Sequence, residues 1–382
     1  MSLWRVASRQ AMTSGRPALL MCLLALTGCA SMRLNSARDA FYAGDLSRAA
    51  SDLEKPPSTS QDEVLFLMER GMVLQARQDY KASVMDFLHA QEKAEELDYL
   101  SVTKTTASFL TNDRMLAYRG EPFERTLLHA FAANNYLAMA MWDDAAVEGR
   151  NVIDRLEHLN GFPDDPYSRY MAAFCLELQG DSEGAAFQYK AVSQQVKTPP
   201  IDERTGRFGP TPPKAEEREL VCFVGIGRAP TEDGYGIYTA AWGPSPYAEI
   251  YDGDRLLGRS YTLDTTYRLA NETEKRLATL KVVKTVSRIV VKEVIAESVS
   301  RKNEALGALL WLVLFSTEGP DTRRWETLPG WLQVARVPCP ADLTQYRVVF
   351  RSTNGAVLRQ KTVQVPLARR GSVFVSFCRD VP

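Results

Sequence analysis

Residues 71–90 read GMVLQARQDYKASVMDFLHA and carry the clearest sign of the architecture. Gly71 and Ser83 are small residues, set where the two helices of a hairpin would approach closely, and Phe87 follows one turn later. The polar pair Gln78-Asp79 marks the turn between the two helices. Because one hairpin cannot bury its apolar face alone, the pattern predicts a hairpin that stacks against others.

The same pattern recurs through residues 29–196, which are rich in Ala, Leu, Met, Gln and Glu at helical spacing. The small residue that follows each turn is Ala49, Ser83, Ala145 or Ala185. The first two are 34 residues apart, which is the period of the tetratricopeptide repeat, and longer connections interrupt the period twice. Asp165-Pro166 is typical of an N-cap followed by the first helical residue. We predict a tetratricopeptide-like domain; an irregular helical bundle with accidental spacing is the alternative.

The first 28 residues have the form of a secretory signal, with a basic start and an apolar run from Pro17 to Leu26. The basic residues are Arg5, Arg9 and Arg16. An apolar run of 10 residues is too short to cross a bilayer, which takes roughly 20. The run ends in Leu26-Thr27-Gly28-Cys29, which resembles a bacterial lipobox with Cys29 as the lipid attachment point. The alternative is an ordinary signal peptide with a chance cysteine.

A lipobox implies a diacylglycerol and an N-acyl chain on Cys29, and several acyl chains hold a protein to a bilayer far better than one. The next residues, Ala30 and Ser31, lack the aspartate that favours retention in the inner membrane. We therefore expect a protein on the periplasmic face of the outer membrane, with the membrane as its partner through the N-terminal lipid.

Composition argues against several function classes. The chain has 382 residues, with 46 Lys and Arg against 47 Asp and Glu, a balance that does not favour a grip on nucleic-acid phosphates. Three histidines leave little material for metal sites or imidazole chemistry. Gly225-Ile226-Gly227 lacks the third glycine of a phosphate cradle. No catalytic residue, metal or cofactor is expected, and an unrecognised carboxylate site is the open alternative.

A stack of helical hairpins presents a concave surface lined by the first helix of each pair. Counting along the repeats places four candidate residues near this surface: Arg38, Gln75, Asn134 and Tyr170. A protein or peptide ligand in this helical groove is the expected partner. Only Asn134 falls on a position that charged clamps of this superfamily use, so a clamp for a peptide carboxylate is not expected. Solvation or helix packing is the alternative role for all four residues.

Residues 197–217 contain five prolines among charged residues and read as an extended linker. Beyond it, residues 218–382 are expected to form a β-rich sandwich or barrel. Asp252-Gly253 and Asn354-Gly355 each separate two strand-like runs, and such pairs are strong hairpin signals because they tolerate positive φ.

A helical insertion is expected within this β-rich domain, at residues 271–316. Its first part, Asn271 to Ser300, has valines at helical spacing, and the apolar run Ala305 to Phe315 is too short to span a bilayer. Packing beneath the sheet is the main interpretation. A basic amphipathic element that touches the membrane is the alternative.

Four cysteines follow Cys29, namely Cys175, Cys222, Cys339 and Cys378. Cys339 and Cys378 fall on predicted strands, so we expect a disulfide between them in an oxidising periplasm. Buried free thiols are the alternative, since free cysteine is among the most buried residue types.

Several short motifs occur in order along the chain. They are Gly120-Glu121-Pro122-Phe123-Glu124-Arg125, His129, Asn135-Tyr136-Leu137, Val147-Glu148-Gly149-Arg150, Asp165-Pro166-Tyr167 with Arg169-Tyr170, Gly227-Arg228-Ala229-Pro230, Asp321-Thr322-Arg323 with Trp325, Leu328-Pro329 and Ala335-Arg336. In these motifs the chain resembles a little-characterised family of bacterial outer-membrane lipoproteins with tetratricopeptide-like repeats. The resemblance implies a periplasmic lipoprotein and brings no catalytic residues.

The sequence therefore predicts an α+β protein, a helical repeat domain followed by a β-rich one. The expected function is that of a non-enzymatic, lipid-anchored scaffold or adaptor of the cell envelope. The alternatives are an envelope enzyme that acts on cell wall or lipid, and a structural component of an export or assembly complex. Acidic residues converging in a pocket at the domain junction would favour the enzyme, whereas an open groove would favour binding.

Overall fold

The computed structural model describes residues 32–57, 60–103, 117–209, 218–230, 245–279, 323–364 and 368–381. Within these residues the protein is α+β, with a helical N-terminal region followed by a β-rich C-terminal region. The predicted fold class and the order of the two regions are confirmed at this level.

The N-terminal region is a series of helices joined mostly by short connections. They are α1 (residues 32–43), α2 (Leu46–Asp52), α3 (Glu63–Ala76), α4 (Tyr80–Thr103), α5 (Pro122–Ala138), α6 (Trp142–Glu157), α7 (Pro166–Gln179) and α8 (Ser182–Gln195). A single 3-10 turn, Ser60–Asp62, precedes α3. Residues 266–279, in the C-terminal region, form α9.

Buried small residues mark each helical hairpin at a fixed spacing. The first helix of each pair supplies Ala37, Gly71, Ala133 or Ala173, and the second supplies Ala49, Ser83, Ala145 or Ala185. The two positions are 12 residues apart in every pair. In the second pair the Ser83 hydroxyl donates to the Gly71 carbonyl at 2.6 Å. The expected helix boundaries follow as well: Asp165 accepts the N–H groups of Tyr167 and Ser168 ahead of Pro166.

We expect Gly71→Ala to destabilise the protein by about 1–2 kcal/mol, because overpacking a filled site outweighs the better helix propensity of alanine. A Cβ atom at Gly71 would lie 2.3 Å from Cε1 of the buried Phe87 ring. Chemical denaturation of the two proteins measures the change. Adding Phe87→Leu should relieve part of the clash, and a Gly71→Ala protein as stable as the native one would contradict the prediction.

The described part of the C-terminal region contains two sheets. Their strands are β1 (Arg218–Ile226), β2 (Tyr247–Asp252), β3 (Arg255–Arg259), β4 (Tyr261–Thr265), β5 (Trp331–Cys339), β6 (Gln345–Arg351), β7 (Val357–Gln364), β8 (Ala368–Arg370) and β9 (Val373–Arg379). The first sheet has the order β4-β5-β1-β9-β8, and β1 and β9 are parallel. The second sheet has the order β3-β2-β6-β7 and is antiparallel.

Both hairpins predicted from turn sequences are confirmed. Gly253 lies between β2 and β3 with φ of 55°, and Gly355 lies between β6 and β7 with φ of 86°. Strands β3 and β4 follow one another directly and are divided at Ser260. The Ser260 hydroxyl accepts the Ala248 N–H and donates to Gln333, so it ties the two sheets together where the chain crosses between them.

Strand β1 is buried on both faces and connects the two regions. Alternate residues Leu220, Cys222 and Val224 face the core between the sheets, whereas Val221 and Phe223 join the core of the helices. This explains why β1 reads as a continuous apolar run rather than an alternating one. The helices, the first sheet and the second sheet therefore form three layers around two cores.

Residues 197–209 do not form the expected extended linker. Ile201 is buried and makes a β-bridge to Phe208, and the Phe208 ring stacks on Tyr170 of α7 at 5.8 Å. Arg207 pairs with Glu219 of β1 at 2.8 Å. Apolar side chains of the proline-rich stretch thus pack against both the helical region and the β-rich region. Residues 210–217 lie outside the described residues.

The expected disulfide between Cys339 and Cys378 is wrong. Cys339 pairs with Arg218 at one end of β1, whereas Cys378 pairs with Val224 near the other end. That separation corresponds to about 20 Å along a strand, far more than the roughly 4–7 Å between Cα atoms that a disulfide bridges. None of the four cysteines in the described part of the chain is in a disulfide, and all four are buried.

Most of the predicted helical insertion, from residue 280 to residue 316, lies outside the described residues, as does the predicted leader with Cys29. Residues 271–279 are helical, as expected. No helix in the described ranges has the length and apolar character needed to cross a membrane.

Candidate functional site

The four predicted groove residues do not line an open groove. Arg38, Gln75, Asn134 and Tyr170 have relative exposures of 8%, 2%, 2% and 0%. Each sits beneath other parts of the same chain, so the predicted partner surface is wrong for the molecule in this conformation. The inner face of the helices is covered by the protein's own C-terminal region, which the local periodicity of the repeats does not reveal.

Two of these residues hold a helix to another part of the same chain. The Gln75 side-chain amide donates to the Phe131 carbonyl at 3.2 Å and to the Asn135 side chain at 2.7 Å. The Tyr170 hydroxyl donates to the Gly206 carbonyl at 2.7 Å. These contacts are packing roles, which were the alternative for all four positions.

A loop formed by residues 323–330, which we call the inner loop, lies against the inner face of the helices. Its Trp325 is 1% exposed. The indole ring lies edge-on to Phe87 of α4 at 5.8 Å and to Phe131 of α5 at 5.9 Å. A single aromatic side chain thus fills a pocket made by two neighbouring hairpins.

Carboxylates of the helices bind the main chain of the inner loop. Glu124 accepts the N–H of Trp325 at 2.9 Å. Glu69 accepts the N–H of Glu326 at 3.0 Å with one oxygen and the N–H of Thr327 at 3.2 Å with the other. Three successive backbone donors are therefore satisfied by two carboxylates, which are stronger acceptors than neutral groups.

Side chains of α1 donate hydrogen bonds to backbone carbonyl oxygens of the same loop. Arg38 donates to the Arg324 carbonyl at 2.8 Å, and its guanidinium pairs with Glu69 and Glu326. The Tyr42 hydroxyl donates to the Glu326 carbonyl at 2.6 Å. Arg38, predicted to face a partner, therefore recognises a segment of its own chain.

The junction carboxylates are occupied by structural hydrogen bonds. Glu124 also accepts the Glu121 N–H and the Tyr118 hydroxyl, and burial raises its pKa even though these hydrogen bonds lower it. The Glu69 carboxylate forms an ion pair with Arg38 and accepts hydrogen bonds from two backbone N–H groups. Acidic residues do converge at the junction, but their oxygens are engaged by the protein itself.

Arg336 of β5 links the first sheet to the last helical hairpin. Its side chain is fully buried, and its guanidinium contacts Glu177 of α7 at 2.7 Å and Glu219 of β1 at 2.8 Å. The guanidinium also lies over the Phe174 ring at 5.7 Å. Although burial disfavours the charged form, these carboxylates and nearby tyrosines raise the pKa of Arg336 well above its usual value.

A second buried acidic group lies where α7 meets β4 and α9. Burial raises the pKa of Asp264 to about 8, an effect opposed by hydrogen bonds from Arg268 and reinforced by the Asp165 carboxylate. Arg268 also donates to the Asp164 carbonyl at 2.6 Å. This cluster ties the start of α7 to the β-rich region.

The described helical region contains a buried pair formed by a histidine and a glutamate. His129 Nδ1 lies 2.7 Å from a Glu148 oxygen, and burial lowers the pKa of His129 below its usual value. Burial also raises the pKa of the Cys175 thiol. No group of His, Cys, Asp and Glu side chains within the described ranges has the arrangement of a metal site.

We expect Glu219 to stabilise the fold above about pH 4.5 and to lose that contribution in acid. Burial raises the pKa of Glu219, but the guanidinium groups of Arg336 and Arg207 outweigh that effect and lower the pKa below its ordinary value of 4.5. A group whose pKa is lower in the folded state binds its proton more readily on unfolding, so stability falls as the pH drops through the folded-state pKa. The added slope is at most about 1.4 kcal/mol per pH unit.

Denaturation of the native protein and Glu219→Gln between pH 3 and pH 7 measures this slope. The variant should be less stable at neutral pH but less sensitive to acid. Equal acid slopes for the two proteins would show that Glu219 has no shifted pKa.

No protein-family model matches the chain, and no curated protein matches it either. The function must therefore be argued from the geometry of the site.

Two residues at the centre of this site could not be identified from sequence. Trp325 and Arg336 occur in motifs that carry the family resemblance, yet they received no role there. Trp325 is an aromatic residue between charged residues, and Arg336 is a charged residue within an apolar run. Only the long-range contacts identify what each one binds.

Proposed function

We propose that this protein is a lipid-anchored, non-enzymatic scaffold or adaptor of the bacterial cell envelope. Its anchor would be Cys29 at the periplasmic face of the outer membrane, and its helical hairpins would be tetratricopeptide-type repeats. The signal-like leader and lipobox support the anchor. The buried small residues at a constant spacing of 12 residues support the repeats.

The binding of the inner loop carries this proposal. The helices bind a polypeptide segment through hydrogen bonds to its backbone N–H and C=O groups and through one aromatic side chain. Peptide-recognition domains use the same combination. Because the loop belongs to the same chain, its effective concentration is on the order of millimolar. A partner that presents similar groups would have to compete with it.

The arrangement of the carboxylates favours this function over an envelope enzyme. Glu69 and Glu124 make two or more hydrogen bonds each to the protein itself. A general acid or base needs an oxygen within reach of a substrate proton. These two carboxylates act instead as acceptors for a bound main chain.

Mass spectrometry of the protein isolated from outer membranes tests the anchor. The proposal predicts that the chain begins at Cys29 and carries acyl chains, and that Cys29→Ser releases it from the membrane fraction. A chain with its leader attached and no lipid would overturn this part of the proposal.

A peptide with the sequence of residues 323–330, RRWETLPG, tests recognition. It should raise the melting temperature of the Trp325→Ala protein, because a ligand that binds only the folded state stabilises it. It should leave the native protein unchanged, since the inner loop fills the site. The same peptide with alanine in place of tryptophan is the control, and equal effects of both peptides would overturn recognition through this pocket.

A further inference from the structure

The outer helices expose a large apolar side chain at the same place in three successive hairpins. Each follows the buried small residue of its helix by two positions. The residues are Met85 on α4, Val147 on α6 and Phe187 on α8, and they are 61%, 53% and 69% exposed. Single exposed apolar residues are common on protein surfaces. Here, however, exposed apolar residues recur at the same position of three hairpins, and we call these three residues the apolar row.

On α6 and α8 this row is bordered by charges of opposite sign. An acidic residue lies four positions before the apolar one and a basic residue lies three positions after it, so all three share one helix face. The acidic residues are Asp143 and Glu183, and the basic residues are Arg150 and Lys190, all exposed. The Arg150 guanidinium donates a hydrogen bond to the Gln179 side chain at 2.6 Å.

The two helices run in the same direction. The acidic residues Asp143 and Glu183 therefore lie on one side of the apolar row, as an acidic stripe, and the basic residues Arg150 and Lys190 lie on the other side, as a basic stripe. Asp143 at the start of α6 accepts a hydrogen bond from Gln179 at the end of α7, whereas Gly149 further along α6 faces Ala172. Helix α6 is therefore antiparallel to α7. A two-residue turn, Gly180-Asp181, then reverses the chain into α8.

We infer that this surface is an isologous interface with a second copy of the same chain. A twofold axis parallel to the line from Val147 to Phe187 would place each acidic stripe opposite the basic stripe of the second copy. Glu183 would then face Lys190 across the axis, and the Phe187 rings of the two copies would meet. Twofold-symmetric dimers formed through one self-complementary patch are the commonest soluble homo-oligomers.

The charge pattern selects this occupant over a lipid surface. Anionic lipids attract basic residues and repel acidic ones, so a stripe of each sign beside the apolar row gives them little net attraction. A patch that carries both signs on opposite sides of an apolar centre is complementary to itself under the stated axis, and complementary potentials determine the partner and its register.

Sedimentation velocity of the full chain as isolated from cells tests the inference. We expect a dimer whose dissociation constant rises about tenfold or more, which is at least about 1.4 kcal/mol, in Phe187→Ser and in Lys190→Glu. Glu183→Lys should weaken the dimer as well. The double variant Glu183→Lys with Lys190→Glu should restore it, because the swapped charges again oppose each other across the axis.

Leu358→Ser is the matched control, since Leu358 is exposed apolar surface on β7, remote from the row. It should leave the dimer unchanged, and circular dichroism should show every variant folded. A monomer at all accessible concentrations would overturn the inference. So would a dimer that ignores Phe187→Ser, or a double variant no stronger than the single ones.

Discussion

Replacing Arg336 by methionine should lower the free energy of unfolding by about 3–5 kcal/mol, because removing one member of a buried ion network leaves its partners without a counter-charge. The Arg336 side chain is fully buried, and it contacts Glu177 at 2.7 Å and Glu219 at 2.8 Å. Loss of the guanidinium would leave Glu219, which is 6% exposed, with Arg207 as its remaining ionic contact. Chemical denaturation measures the change.

Arg369→Met is the control, because Arg369 lies on the edge strand β8 and is exposed. It should change stability by no more than about 0.5 kcal/mol. Combining Arg336→Met with Glu219→Gln should cost less than the sum of the single losses, since the second change removes the unpaired charge. An Arg336→Met protein within 1 kcal/mol of the native one would show that the network contributes little.

Replacing Trp325 by alanine should cost about 3–5 kcal/mol, the usual range for deleting a buried aromatic side chain. Its ring contacts Phe87 and Phe131 on two different hairpins, so the cavity would lie between the helices and the inner loop. The carboxylates Glu69 and Glu124 would still accept backbone N–H groups. We therefore expect a folded protein with a weakened junction rather than loss of one region.

Trp142→Ala provides the comparison, because Trp142 is half-buried at the start of α6 and packs under Arg370. It should cost clearly less than Trp325→Ala. Hydrogen exchange should show that Trp325→Ala exposes amides of residues 323–330 and of α3 and α5 together. Equal losses of unfolding free energy for the two variants would mean that the pocket filled by Trp325 has no special role.

Features encoded by neighbouring residues could be predicted. The small residue after each helical turn, the cap at Asp165, and the hairpin turns at Gly253 and Gly355 all depend on interactions within a few positions. Their physical causes, close helix approach, N–H capping and positive φ, act on any chain with that local sequence. The positions of these elements therefore followed from the sequence.

The candidate site depended on contacts between distant residues. Trp325 meets Phe87, and Arg38 meets Glu326, over more than two hundred positions of chain. A helical count places Arg38 on the inner face correctly, yet it does not reveal what covers that face. The disulfide prediction was wrong for the same reason. Cys339 lies on β5 and Cys378 on β9, and they pair with residues near opposite ends of β1.

The order of helices and strands, the turns between them and the expectation of a lipid on Cys29 came from short-range patterns alone. The tertiary structure decided that the helical layer closes over the inner loop and that the two regions share a core through β1. Local patterns determine which faces are apolar. Which of several apolar faces meet is decided by the total burial and by the pairing of buried charges, to which every part of the chain contributes.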